Sequence, residues 1–152
     1  GIKRALPDVF AATGRAIGWE EASSSMLDRA VALGELPGWG VLWTPNSRVT
    51  LSPEVLASAS RAGRAFAFVL SSVSDVYGFV AYVRGTEARR LIRVEGAVAE
   101  EAGGVLPEEA ALDWDDAEDT VVELARRLTG LDGARHGTWA GVSFAVLAAH
   151  SR

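Results

Sequence analysis

The sequence predicts an α+β fold: one domain over residues 2–152, a mostly antiparallel meander sheet with two to three packed helices. Three observations predict it. From Arg64 to Glu101, apolar runs of strand length follow one another with only short polar breaks, the spacing of hairpins. Two other segments, SPEVLASA and DWDDAEDTVVELARRLTG, carry the start and stop residues of helices. The 152 residues, 49% hydrophobic and 23% charged, are enough for one core of their own.

Taken in order, Pro7 to Thr13 predicts a short helix, with Pro7 at a first helical position and Gly14 past the end. RAIGWEEA alternates, placing Ile17 and Trp19 on one face of a strand. SSSMLDRAVALG reads as a helix with Leu27, Ala30 and Val31 as its apolar stripe and Gly34 as its stop. GWGVLWT puts Trp39, Val41 and Trp43 on one face of a strand. In LSPEVLASASRAG, Ser52 is an N-cap, Pro53 a first residue, Val55, Leu56 and Ala59 the buried face, and Gly63 the stop.

AFAFVL is apolar on both faces, which predicts a central strand covered twice. VYGFVAYV repeats the pattern, with tyrosines able to carry their hydroxyls to a polar rim. RGTE is a turn. ARRLIRVE is a strand with Leu91, Ile92 and Val94 inside and Arg90 and Arg93 facing water. AVAEE is its antiparallel neighbour, so that Glu100 and Glu101 can meet its arginines. DWDDAEDTVVELARRLTGL is a helix with acids at its start, Arg126 and Arg127 in its last turn, Gly130 as its stop, and Val121, Leu124, Ala125 and Leu128 as its core stripe. TWAGVSFAVL closes the chain as a long strand.

Charge is unevenly spread. Residues 94–125 hold eleven acids and no base, while the remainder holds nine acids and fifteen bases. This pattern does not suit nucleic acid, whose binders cluster Lys and Arg. No run approaches the roughly 18 apolar residues of a membrane span. The first ten residues lack the charged-then-apolar order of a signal peptide. Zero cysteines exclude disulfides, thiolate zinc sites and a cysteine nucleophile, so a cytoplasmic location is expected.

The polar island SSVSD lies between two apolar runs. A nucleophilic serine needs a base in hydrogen-bond reach, and the only histidines, His136 and His150, cannot be placed there from the sequence. Small polar residues before a strand are what a hairpin turn requires, so the island is expected to be a turn. AGVSFA around Ser143 lacks the second glycine of a nucleophile elbow and continues as a strand. Counting an EF-hand loop from Asp113 puts Glu118 where glycine is needed and Leu124 where glutamate is needed. Neither histidine has metal-ligand spacing to an acid, and no phosphate-binding glycine loop is present. The expectation is therefore no catalytic set, no metal and no cofactor.

GWGVLWTP, LSPEVL, and FAFVLSSVSDVYGFVAYV with RRLIRVEG together resemble a family of small proteins of GC-rich actinobacteria that have no assigned activity. The resemblance spans residues 15–130 and rests on structural motifs, so it implies a fold and no site. Through size and charge it implies a likeness to immunity or antitoxin proteins, by analogy alone.

Two readings of function remain. The first is a non-enzymatic interaction protein, immunity-like or an accessory factor, that docks a basic protein partner on Asp113, Trp114, Asp115, Asp116, Glu118 and Asp119. The bland alternative for Trp114 is an indole folded onto the core beneath a solvated helix start. The second is a small-molecule binder or enzyme with an aromatic-lined pocket between sheet and helices, for which Asp75, Tyr77, Tyr82 and His136 are the candidate polar groups. A homo-oligomer is a third expectation if the final strand and its AVLAA tail lie at a sheet edge.

Overall fold

A computed structural model of the chain describes Arg4, Leu6, residues 10–25 and residues 30–149. The α+β class holds, with two antiparallel four-stranded sheets and five helices among the described residues. The strands are β1 (Phe10–Ile17), β2 (Ala30–Leu36), β3 (Trp39–Trp43), β4 (Arg64–Ser71), β5 (Val76–Val83), β6 (Thr86–Val94), β7 (Ala97–Gly103) and β8 (Phe144–Ala149). The helices are α1 (Trp19–Ser25), α2 (Ser47–Thr50), α3 (Pro53–Ala59), α4 (Ala117–Thr129) and α5 (His136–Trp139).

The expected meander is the second sheet alone, in the order β4-β5-β6-β7. Two of its turns, Arg84-Gly85 and Glu95-Gly96, have positive φ at both positions, the twist that joins adjacent antiparallel strands in a two-residue loop. Ser72 to Asp75 form the turn expected of the SSVSD island. β4 is an edge strand, not a central one. It is nonetheless covered twice: Ala65 and Ala67 face Leu56 and Ala57 of α3, while Phe66 and Phe68 face Leu124 and Leu128 of α4. Apolar residues on both faces therefore report cover by helices, not a position inside the sheet.

The first sheet runs β1-β8-β2-β3, and four expectations fail there. The Pro7–Thr13 helix gives way to β1 from Phe10 onward; Pro7 lies outside the described residues. Gly14 stands at φ +75 inside an irregularity of the β1–β8 ladder instead of ending a helix. The strand read into RAIGWEEA stops at Ile17, because Trp19 and Ala22 share the inner side of α1 and pack with Phe144. The SSSMLDRAVALG helix is also replaced: Ser23 to Ser25 end α1, and Ala30–Leu36 form β2 between β8 and β3, with residues 26–29 outside the description. The final strand begins only at Phe144, after α5, and it lies inside the sheet between β1 and β2, not at an edge. For β1 and β2, pairing with β8, distant in sequence, overrides the local signal.

α3 joins the two sheets. Its Ser52 cap accepts from the Val55 N–H at 3.4 Å, Pro53 occupies the first position, and Ser60 ends it before Gly63 is reached. Val55 packs with Val31 and Leu147 of the first sheet, while the adjacent Leu56 packs with Val80 and Ile92 of the second. Trp39 adds a second tie: its Nε1 donates to the Thr129 carbonyl at 2.8 Å, and its ring lies 5.7 Å from that of Phe66.

Candidate functional site

The acidic start of α4 lies at one end of the second sheet. Trp114–Asp116 form a 3-10 turn, in which Asp113 Oδ1 accepts from the Asp115 N–H at 3.0 Å. The Thr120 hydroxyl donates to the Asp113 carbonyl, fixing this turn to the first turn of α4. Asp113, Asp115, Asp116, Glu118 and Asp119 are exposed. Among the described residues none of the five forms a salt bridge, and neither do Glu95 and Glu108, in contrast to the other four acids of the block. Glu100 meets Arg90, Glu101 and Glu109 meet Arg89, and Glu123 meets both Arg126 and Arg127. The Asp119 carboxyl is raised above its ordinary value, first by the repulsion of Asp116 and then by a hydrogen bond with it.

Trp114 does not stand out as a free docking post. Its half-buried ring packs on the core cluster of Phe79, Leu91 and Leu124. The Arg93 guanidinium lies 5.6 Å from the ring centroid, in cation–π range. The expected patch is thus five solvated carboxylates around an indole that anchors them to the core.

The four residues proposed for a pocket are distributed over the fold. Asp75 and Tyr77 lie beside the acidic end: the Tyr77 hydroxyl is raised by desolvation, then by Glu118 and Asp75. Tyr82 is buried on the opposite face of β5, beneath α3, with its hydroxyl raised by burial and then by Glu87. An odd spacing of five along a strand separates the two tyrosines in this way. His136 opens α5 beside the first sheet and lines two open grooves there, neither of which includes Asp75, Tyr77 or Tyr82. Among the described residues no three His, Asp or Glu are grouped to hold a metal, and no helix is long and apolar enough to cross a membrane.

Two arrangements escaped sequence reasoning. Arg89 is buried in the second sheet and bound by Glu109 and Glu101. Period two counted back from Leu91 places it on the inner face, a signal that was present. The other is an aromatic stack: Trp19 and Trp139 lie 4.1 Å apart with planes 10° from parallel, and Trp43 meets Trp19 edge-on at 5.1 Å. No local pattern joins three tryptophans from α1, β3 and α5.

The described residues define a class, an α+β protein of two antiparallel four-stranded sheets with an unpaired acidic end. Comparison of the chain with protein-family models, with curated proteins and with solved structures finds no match.

Proposed function

We propose that the protein is a non-enzymatic interaction factor that docks a basic protein partner on the acidic end of its second sheet. The observation that supports this reading is the division of the acids. Those of β7 and of the middle of α4 are matched with arginines, while Asp113, Asp115, Asp116, Glu118 and Asp119 form no salt bridge among the described residues. Crowded carboxylates repel one another, as the raised Asp119 records, and a basic surface would relieve that repulsion on contact. Long-range attraction of this kind speeds encounter and weakens with salt. Asp75 and Glu118, both felt by Tyr77, extend the negative surface towards the turn before β5.

The test uses an arginine-rich peptide as probe, with association followed by surface plasmon resonance at low and high salt. Replacing the five carboxylates by their amides is expected to slow association at least tenfold and to remove most of its salt dependence. Replacing the arginine-paired Glu100 and Glu123 is expected to change it far less. Equal effects of the two sets, or association indifferent to salt, overturn the reading.

A further inference from the structure

The stacked tryptophans wall a groove on the other sheet. It has a volume of about 680 Å³, opens to solvent, and is lined by Trp19, Glu20, Glu21, His136, Trp139 and Ser143 together with backbone near Gly18 and Gly141. Trp19 and Trp139 are each half-buried at this rim, packed on Phe144 while part of each stays exposed. Trp139 Nε1 is already held by the Gly133 carbonyl at 3.0 Å and the two rings hold each other, so both are fixed in place before any ligand arrives.

The charge of the rim selects the occupant. Glu20 and Glu21 project from the first turn of α1; Glu21 is paired with Arg15 of β1, while Glu20 forms no salt bridge among the described residues. The chain's own Arg15 guanidinium is thus already drawn to this rim. Indole rings attract cations through their quadrupole, and a neighbouring carboxylate adds to that attraction. A flat aromatic body can extend an existing ring stack, which an aliphatic ammonium cannot do.

We propose that the groove between α1 and α5 binds a flat organic cation, its ring on an outer face of the Trp19–Trp139 stack and its charge facing Glu20. The site is separate from the acidic end of the second sheet and stands whether or not that surface docks a partner.

The probe is 1-methylquinolinium, with uncharged quinoline at pH 8 as its isostere, and the readout is the indole N–H signals of the five tryptophans in a ¹H–¹⁵N spectrum. The signals of Trp19 and Trp139 are expected to shift saturably with 1-methylquinolinium, while those of Trp39 and Trp114 stay in place. Quinoline is expected to bind at least fivefold more weakly, and Glu20→Gln to weaken the cation by a similar factor without moving the Trp39 signal. Equal binding of the two probes, an unchanged affinity in Glu20→Gln, or no shift at millimolar probe overturns the proposal. So do shifts at Trp19 and Trp139 that follow protein concentration alone, because a second copy would then cover the groove.

Discussion

Arg89 and Glu109 form a buried ion pair that ties β6 to the segment leading into α4. The two side chains are 2% and 6% exposed, with Nη2 2.9 Å from Oε1 and Nε 3.0 Å from Oε2. Nη1 reaches Glu101 at 3.1 Å and the Gly103 carbonyl at 3.2 Å, so the guanidinium is fully engaged. Glu109 turns its other lone pairs to the Leu106 N–H. Arg127 secures the same segment from α4 through the Glu108 and Ala110 carbonyls at 2.9 and 2.8 Å.

Removing one member of such a pair leaves a desolvated charge. Glu109→Ala and Arg89→Ala are each expected to cost about 3–5 kcal/mol. Replacing both by Met is expected to recover most of that loss, because it removes two desolvation penalties together. Urea denaturation of the single and double variants checks this; additive losses would contradict it.

Gly78 and Gly34 differ in what surrounds them. A Cβ at Gly78 would lie 2.1 Å from the Leu91 carbonyl oxygen and 2.9 Å from the Ile92 Cα, both backbone atoms of the paired strand. At Gly34 the nearest atom is on the Phe144 ring at 2.9 Å, a side chain and not backbone, but one fully buried in the core. Gly78→Ala, which meets backbone, is therefore expected to destabilise by about 3 kcal/mol or more and Gly34→Ala, which meets side chains, by less, about 1–3 kcal/mol, both read from thermal denaturation.

Glu123 supplies an acid-dependent contribution to stability. Hydrogen bonds from Arg126 and Arg127 lower its carboxyl from 4.5 to about 2. A group whose folded value is depressed contributes stability that is complete above its unfolded value and is lost as pH falls towards the folded one. Stability of the native protein is thus expected to fall between pH 4.5 and about 2, with that part of the slope absent in Glu123→Gln. A pH series of denaturation midpoints measures it.

Asp119 has the opposite sign. Its value is raised by Asp116, so ionisation disfavours the fold, and this penalty acts at neutral pH and disappears once the carboxyl is protonated in both states. Asp116→Asn and Asp119→Asn are each expected to raise Tm slightly at pH 7 in low salt, an increase that shrinks in high salt. An unchanged or lowered Tm would show that the two carboxylates are not repelling each other in the folded protein.

The second sheet was legible because its instructions are local. Ser52-Pro53, Arg84-Gly85, Glu95-Gly96 and the acid-to-base order of α4 each act through their own backbone and immediate neighbours. The pairing of the β6 arginines with Glu100 and Glu101 follows from the short turn between their strands. Trp114 shows the limit: its place in the acidic run is plain in the sequence, but whether it faces water depended on Phe79 and Leu124 coming beneath it.

The first sheet required the whole chain. β1 and β2 both hydrogen-bond to β8, with Phe10 opposite Ala149 and Ala30 opposite Ala148, so the conformation of the early residues is decided by the last strand. Sequence by itself determined the α+β class, the hairpins, the α3 and α4 helices and the imbalance of charge. Tertiary structure alone decided that Gly14 lies in an irregularity of a strand ladder, that Trp19, Trp43 and Trp139 meet, and that Glu109 reaches the buried Arg89. The physical reason is range: caps and two-residue turns act within a few residues, whereas ladder hydrogen bonds and ring contacts form only after distant segments are brought together.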